Sequence, residues 1–340
     1  MWPDLRVVWF VLVGALLTGY AILDGFDLGV GALHLFTKTD AERRLLLNAI
    51  GPVWDGNEVW LVTSGGALFA AFPVVYATVC SGFYLAFMLL LAALIFRAVA
   101  IEFRSKQPMR WWRQWWDVSF SVSSVLCALL IGVALGNIVR GVPIGADGEF
   151  AGGFATLINP YALLVGVTTV ALFAMHGAIF LTMKTEPPLH DVVRRWVRGT
   201  MIAFIICYAM TTIATLVYLP HMAEPFARHP ALFALPLLNV LAIANVPREI
   251  HHGRDMRAFL SSCAAIAALL LLAGVGMFPN LVRSSPLPEH SLTIYNAASS
   301  TKTLGIMLVV ALLGMPMVIG YTICIYWIFR GKVRLDPTSY

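Results

Sequence analysis

Four carboxylates sit in apolar runs where water is scarce. Asp24 and Asp27 lie within LTGYAILDGFDLGVGAL, and Asp55 and Glu58 open a second run, GPVWDGNEVWLVTSGGALFAAF. An ionisable group at membrane depth costs roughly 2.5–3.5 kcal/mol even on the lenient insertion scale, so it is kept mostly for function. A spacing of three puts Asp24 and Asp27 on one helical face, and Asp55 and Glu58 on another. The chemistry such faces serve is proton or ion relay, because a carboxyl accepts a proton and releases it to a neighbour. A plainer role competes: Asp55 and Glu58, in the first turns of their helix, also suit its dipole and can simply reach water. Asp24 and Asp27 are less open to that explanation.

The other reactive side chains carry less. His176 (FAMHGAIF) is the only histidine deep in an apolar run. An axial haem ligand is one use for it, but without a second His or Met facing it a hydrogen-bonded helix contact is favoured. His34, His190, His221, His229, His251, His252 and His290 fall at span ends or in loops and read as solvated. Cys80, Cys127, Cys207, Cys263 and Cys324 lie in or beside apolar segments without CxxC spacing, and read as small buried hydrophobes rather than disulfides or a metal cage. Phosphate loops, HExxH and GxSxG are absent, so no metal site and no catalysis by this chain alone is expected.

The elements that must hold these residues are membrane helices. With 340 residues, 59% hydrophobic and 12% charged, and a mean hydropathy of +0.81, the chain is an all-α integral membrane protein. Its basic residues lie in short loops and act as topology signals, which excludes nucleic-acid binding. Runs of about 20 apolar residues predict nine transmembrane helices, over 7–35, 53–75, 77–100, 118–138, 159–183, 200–220, 230–247, 257–278 and 303–329. Pro73 and the Ser81-Gly82 step divide the second from the third. The opening residues MWPDLR read as the start of a retained first helix rather than a signal peptide. The whole of 1–340 reads as a single polytopic membrane domain.

Loops after helices 1, 3, 5 and 7, with the C-terminal tail, carry most of the 23 Lys and Arg, Arg97 and Arg104 among them. That places the N-terminus in the periplasm and the C-terminus in the cytoplasm. All four carboxylates then belong to the cytoplasmic half of the first hairpin. Trp111, Trp112, Trp115 and Trp116, interleaved with Arg110 and Arg113 before helix 4, suit an interfacial belt. Gly25 and Gly29 make a small-xxx-small step, and Gly14, Gly19 and Gly31 thin the same helix for close approach by another. The stretches 141–159 and 279–302 are irregular and suit covering a partner. From the residues alone the reading stays open between a transporter and one subunit of a redox complex.

The runs GYAILDGFDLGVG, ERRLLLNAIGPVWDGNEVWLVTSGGALFAAFPVVYA, SGFY, FRSK, GNIVRGVP and SLTIYNAASSTKTL, in this order over nearly the whole chain, resemble subunit II of the cytochrome bd-type quinol oxidases, including their cyanide-insensitive branch. The loop between helices 6 and 7 is short, where other members carry an insertion. The resemblance implies a terminal oxidase of the bacterial inner membrane. It takes electrons from a quinol and reduces oxygen to water with cytoplasmic protons. It implies two haem b and one haem d, all ligated by subunit I, which pairs with this subunit as a pseudo-symmetric heterodimer. The family also allows a small single-helix subunit and a structural quinone. The resemblance assigns Asp55 to the mouth of a proton channel and Asp24 to its continuation, with Asp27 assisting. Glu58 stands where other members carry an uncharged amide. Trp54 matches a quinone-packing position and Trp60 one near an oxygen path.

Overall fold

A computed structural model describes residues 4–335; residues 1–3 and 336–340 of the expected domain, including the start of MWPDLR, lie outside the described residues. The long helices are α1 (Leu5–Leu33), α3 (Trp54–Ala71), α5 (Tyr84–Phe103), α6 (Arg110–Arg140), α7 (Pro160–Lys184), α8 (Leu189–Tyr218), α9 (Ala234–His251), α10 (Asp255–Met277) and α11 (Thr301–Ile328). Two shorter ones, α2 (Asp40–Ile50) and α4 (Pro73–Gly82), lie between the early spans. Local chemistry sets the starts. Asp4 accepts from the Arg6 amide at 3.0 Å, and Asn159 accepts from Ala162 at 3.0 Å just before Pro160. Each thereby satisfies a donor that a helix start leaves free.

Among the described residues eight helices, α1 and α5 to α11, are long and apolar enough to cross a membrane. The remaining expected span, α3, has 18 residues, but Asp55, Asn57 and Glu58 crowd its first turns and dilute its hydropathy. Boundaries moved where propensity outran hydropathy. α6 starts at Arg110 and α8 at Leu189, because charged residues end an apolar run without ending a helix. The four tryptophans therefore stand on the first two turns of α6 rather than before it. The break after α3 falls at Phe72, since Pro73 disfavours helical geometry in the residue before it. The carbonyls this frees on Ala70 and Ala71 accept from the Ser299 hydroxyl and amide, at 2.6 and 2.8 Å.

The segment after α1 is not the plain loop expected. A capping box between Thr39 and Glu42 starts α2, which buries Leu46, Leu47 and Ile50 against the bundle. The two irregular stretches pack on each other: Val142 donates to the Arg283 carbonyl at 3.0 Å, and a short hairpin of β1 (Asn280–Val282) and β2 (Leu292–Thr293) joins the same apolar cluster as Trp9, Phe72 and Ile144.

α7 is the most enclosed span, packing on α1, α6 and α8. Its backbone touches that of α1 directly: a Cβ on Gly29 would overlap the Phe173 carbonyl, and one on Gly177 would overlap Gly29. Gly14, expected to serve close approach too, faces open space. At the other extreme α11 buries only Leu304 among its residues. All five cysteines are free; Cys127 is buried as expected, but Cys324 is exposed on α11, where the bundle does not cover it.

Candidate functional site

Asp24 and Asp27 are both 0% exposed on α1. Arg97 of α5, also fully buried, donates through Nη2 to Asp24 Oδ1 at 2.7 Å and through Nη1 to Glu58 Oε2 at 3.2 Å. The assignment of Arg97 to a loop is thus overturned: it lies inside the bundle, where buried carboxylates compensate the cost of its charge. One guanidinium faces three carboxyl groups. The cluster can therefore gain or lose a proton without losing its cation.

Asp27 is held differently. Asn57 of α3 donates through Nδ2 to Asp27 Oδ2 at 2.7 Å and to the Leu23 carbonyl at 3.2 Å. Tyr326 of α11 donates its hydroxyl to Asn57 Oδ1 at 2.9 Å. Asp24 Oδ2 and Asp27 Oδ1 are buried with no hydrogen-bond partner among the described residues.

Asp55 is exposed one turn before Glu58, on an outward stripe of α3 that continues with Val59, Val62 and Phe69. Of the four expected carboxylates, three therefore meet at Arg97 and Asn57, and Asp55 stands outside them. Trp54 is buried in the apolar cluster of Phe26, Leu46 and Ile50. Trp60 lies flat against Gly19, where any side chain would overlap its ring.

His176 joins three helices: Nδ1 meets Ser262 Oγ of α10 at 2.7 Å, Nε2 donates to the Ile22 carbonyl of α1 at 3.0 Å, and the ring stacks on Phe259. With both nitrogens occupied it does not fit an axial haem ligand. Among the described residues no three His, Cys, Asp or Glu gather as a metal site.

A second buried ionic group corrects the reading of His34 as solvated and buries Arg104, one of the expected loop charges. His34 is 0% exposed, and its Nε2 meets Asp117 Oδ1 at 2.6 Å. Arg104 donates to the same oxygen at 2.5 Å, and Arg43 to Asp117 Oδ2 at 2.8 Å. Arg104 reaches on to Asp40 at 2.8 Å. Asp117 sits at the edge of an apolar run beside charged residues, which hid it from a hydropathy argument. Arg97 left a clearer trace, a lone cation inside LLLAALIFRAVAIEF.

The family model described as cytochrome bd terminal oxidase subunit II matches residues 5–329. The chain belongs to that family. Subunit 2 of the cytochrome bd-I ubiquinol oxidase of Escherichia coli K12 is 37% identical to this subunit II, over 98% of this chain and 96% of the relative. Subunit 2 of the cytochrome bd ubiquinol oxidase of Bacillus subtilis is 35% identical over 99% of each. The fold matches a chain of the bd oxidase of Geobacillus thermodenitrificans with a TM-score of 0.80 at 17% identity, covering 96% and 98% of the two chains. This subunit II is accordingly a multi-pass protein of the bacterial inner membrane and one part of a quinol oxidase complex that contains haem and a subunit I.

Proposed function

We propose that this subunit supplies a proton path to the haem-bearing subunit I, from Asp55 through Glu58 and the Arg97–Asp24 pair to Asp27, and stabilises that partner in the membrane. The observation that carries it is the gradient of exposure along these groups. Asp55 is exposed, the Glu58 side chain is 23% exposed, and Asp24 and Arg97 are wholly buried. A carboxylate on an otherwise apolar outward stripe is costly against lipid. A partner protein over α3 would relieve that cost and give Asp55 its role at a channel mouth.

In this reading α3 is the ninth span, the N-terminus is periplasmic, the C-terminus cytoplasmic, and protons enter from the cytoplasm. Subunit I holds two haem b and haem d in this reading, as the resemblance to the family implies, and the occupied nitrogens of His176 agree with that division. The quinol is ubiquinol, the substrate that the names of the E. coli and B. subtilis complexes carry. No step in this chain touches the haems. Its residues bind, orient and pass protons, while the haems, when bound, carry electrons to oxygen.

The buried Arg97–Asp24 pair also supports a second reading, in which the acids only secure assembly. Asp55→Asn separates the two, because Asp55 has no hydrogen-bond or ion-pair partner among the described residues. Lower quinol-driven oxygen consumption with full haem content supports the path. Unchanged turnover refutes it, and loss of haem from the purified complex favours assembly.

A further inference from the structure

Among the described residues Asn57 is the one side chain that touches Asp27 by a hydrogen bond, and its orientation is fixed by chemistry. The Leu23 carbonyl can only accept, so the amide nitrogen must face it. The same nitrogen then donates to Asp27 Oδ2, and the amide oxygen is left for the Tyr326 hydroxyl, which must donate. Asp27 Oδ2 therefore always faces a donor. A proton on Asp27 can be carried only by Oδ1, the buried oxygen that has no hydrogen-bond partner. Asp24 is arranged similarly, with Oδ1 held by Arg97 and Oδ2 making no hydrogen bond of full geometry, although the buried Tyr20 hydroxyl lies beside its carboxyl.

We infer that Asn57 and Tyr326 are positioning residues that confine the proton of Asp27 to Oδ1, so that both carboxyls of α1 exchange protons through their unheld oxygens. The inference rests on the proton-path reading and adds residues that path did not contain. An amide does not ionise, so Asn57 also ends the path on the α11 side: protons reach Asp27 but do not leave through Tyr326. The charged and titratable groups around Asp27 are Asp24 on its own helix, Glu58 on α3, Arg97 on α5 and Tyr326 on α11. On α7, His176 is turned away to Ile22 and Ser262.

The test uses the intact, haem-loaded oxidase complex carrying Asn57→Leu or Tyr326→Phe, beside Asp27→Asn and Asp55→Asn. Turnover is followed across pH, and the carbonyl stretch of protonated carboxyls is recorded in infrared difference spectra. The band that Asp27→Asn abolishes should move to higher frequency in Asn57→Leu, because its C=O loses a donor. Losing one hydrogen bond should slow turnover about fivefold. The pH profile should move to higher pH, because the lost donor favours the carboxylate. Tyr326→Phe, which removes one oxygen from a peripheral helix, should shift the band in the same direction by less. It also keeps the test open if Asn57→Leu does not assemble.

An unmoved band in both variants overturns the inference, as does an Asp27→Asn complex that loses no band. If Asp55→Asn slows turnover while the Asn57 and Tyr326 variants behave as wild type, only the positioning fails. If Asp55→Asn turns over normally the path itself fails, and the band shift still reports on positioning.

Discussion

Arg97 donates to Asp24 at 2.7 Å with neither side chain exposed to any degree. The pair couples α5 to α1, and besides Asp24 the guanidinium faces the buried Asp27 and the partly exposed Glu58, whereas Asp24 has Arg97 as its one ion-pair partner among the described residues. Its removal from one side and from both should therefore differ.

Arg97→Gln strands Asp24 in a dry site and should destabilise the complex by about 3–5 kcal/mol, whereas Arg97→Gln with Asp24→Asn should cost less than the single change. Thermal unfolding of the purified complex checks it. Additive losses would mean that the two groups do not compensate each other.

The second ionic group predicts a contrast. Asp117 is 1% exposed and serves His34, Arg104 and Arg43, while the Asp40 side chain is 45% exposed. Asp117→Asn should cost about 3–5 kcal/mol. Asp40→Asn should cost about 1 kcal/mol or less, as exposed pairs do. Equal melting points for the two variants would contradict the burial argument.

Backbone contact between α1 and α7 predicts intolerance of a single methyl. Gly29→Ala should destabilise by about 1–3 kcal/mol, the usual range for overpacking, because its Cβ would strike a main-chain carbonyl that cannot rotate away. Gly14→Ala meets nothing and should be neutral. Yield and melting temperature of the two variants give the comparison.

His221, between α8 and α9 outside the spans, meets the Val139 carbonyl at 3.2 Å. Burial, aided by the nearby Arg283 charge, holds its imidazole below the ordinary value. A group whose folded pKa is depressed binds fewer protons folded than unfolded, so stability falls as pH drops below the ordinary histidine value and levels off under the lowered one. His221→Gln should flatten that acid limb of the melting-temperature profile. An unchanged limb would assign the acid sensitivity elsewhere.

The spans, and the carboxylates inside them, were legible because hydropathy and a spacing of three are local properties. The ends of α6 and α8 were not, since a helix continues through charged residues after its apolar run stops. α2 escaped for a related reason: it is short and its buried face is half its length, so its signal was a capping box rather than a run.

The sequence by itself determined that four acids enter the apolar part of the first hairpin, and that the chain resembles a bd oxidase subunit II. Only the tertiary structure decided which of them meet a partner. Arg97 lies 73 residues from Asp24, and Tyr326 lies 269 from Asn57. Contacts at such separations depend on how whole helices pack, which no window of neighbouring residues encodes. The same packing buried His34 and left Asp55 outside, since burial is a property of the assembled bundle rather than of a residue type.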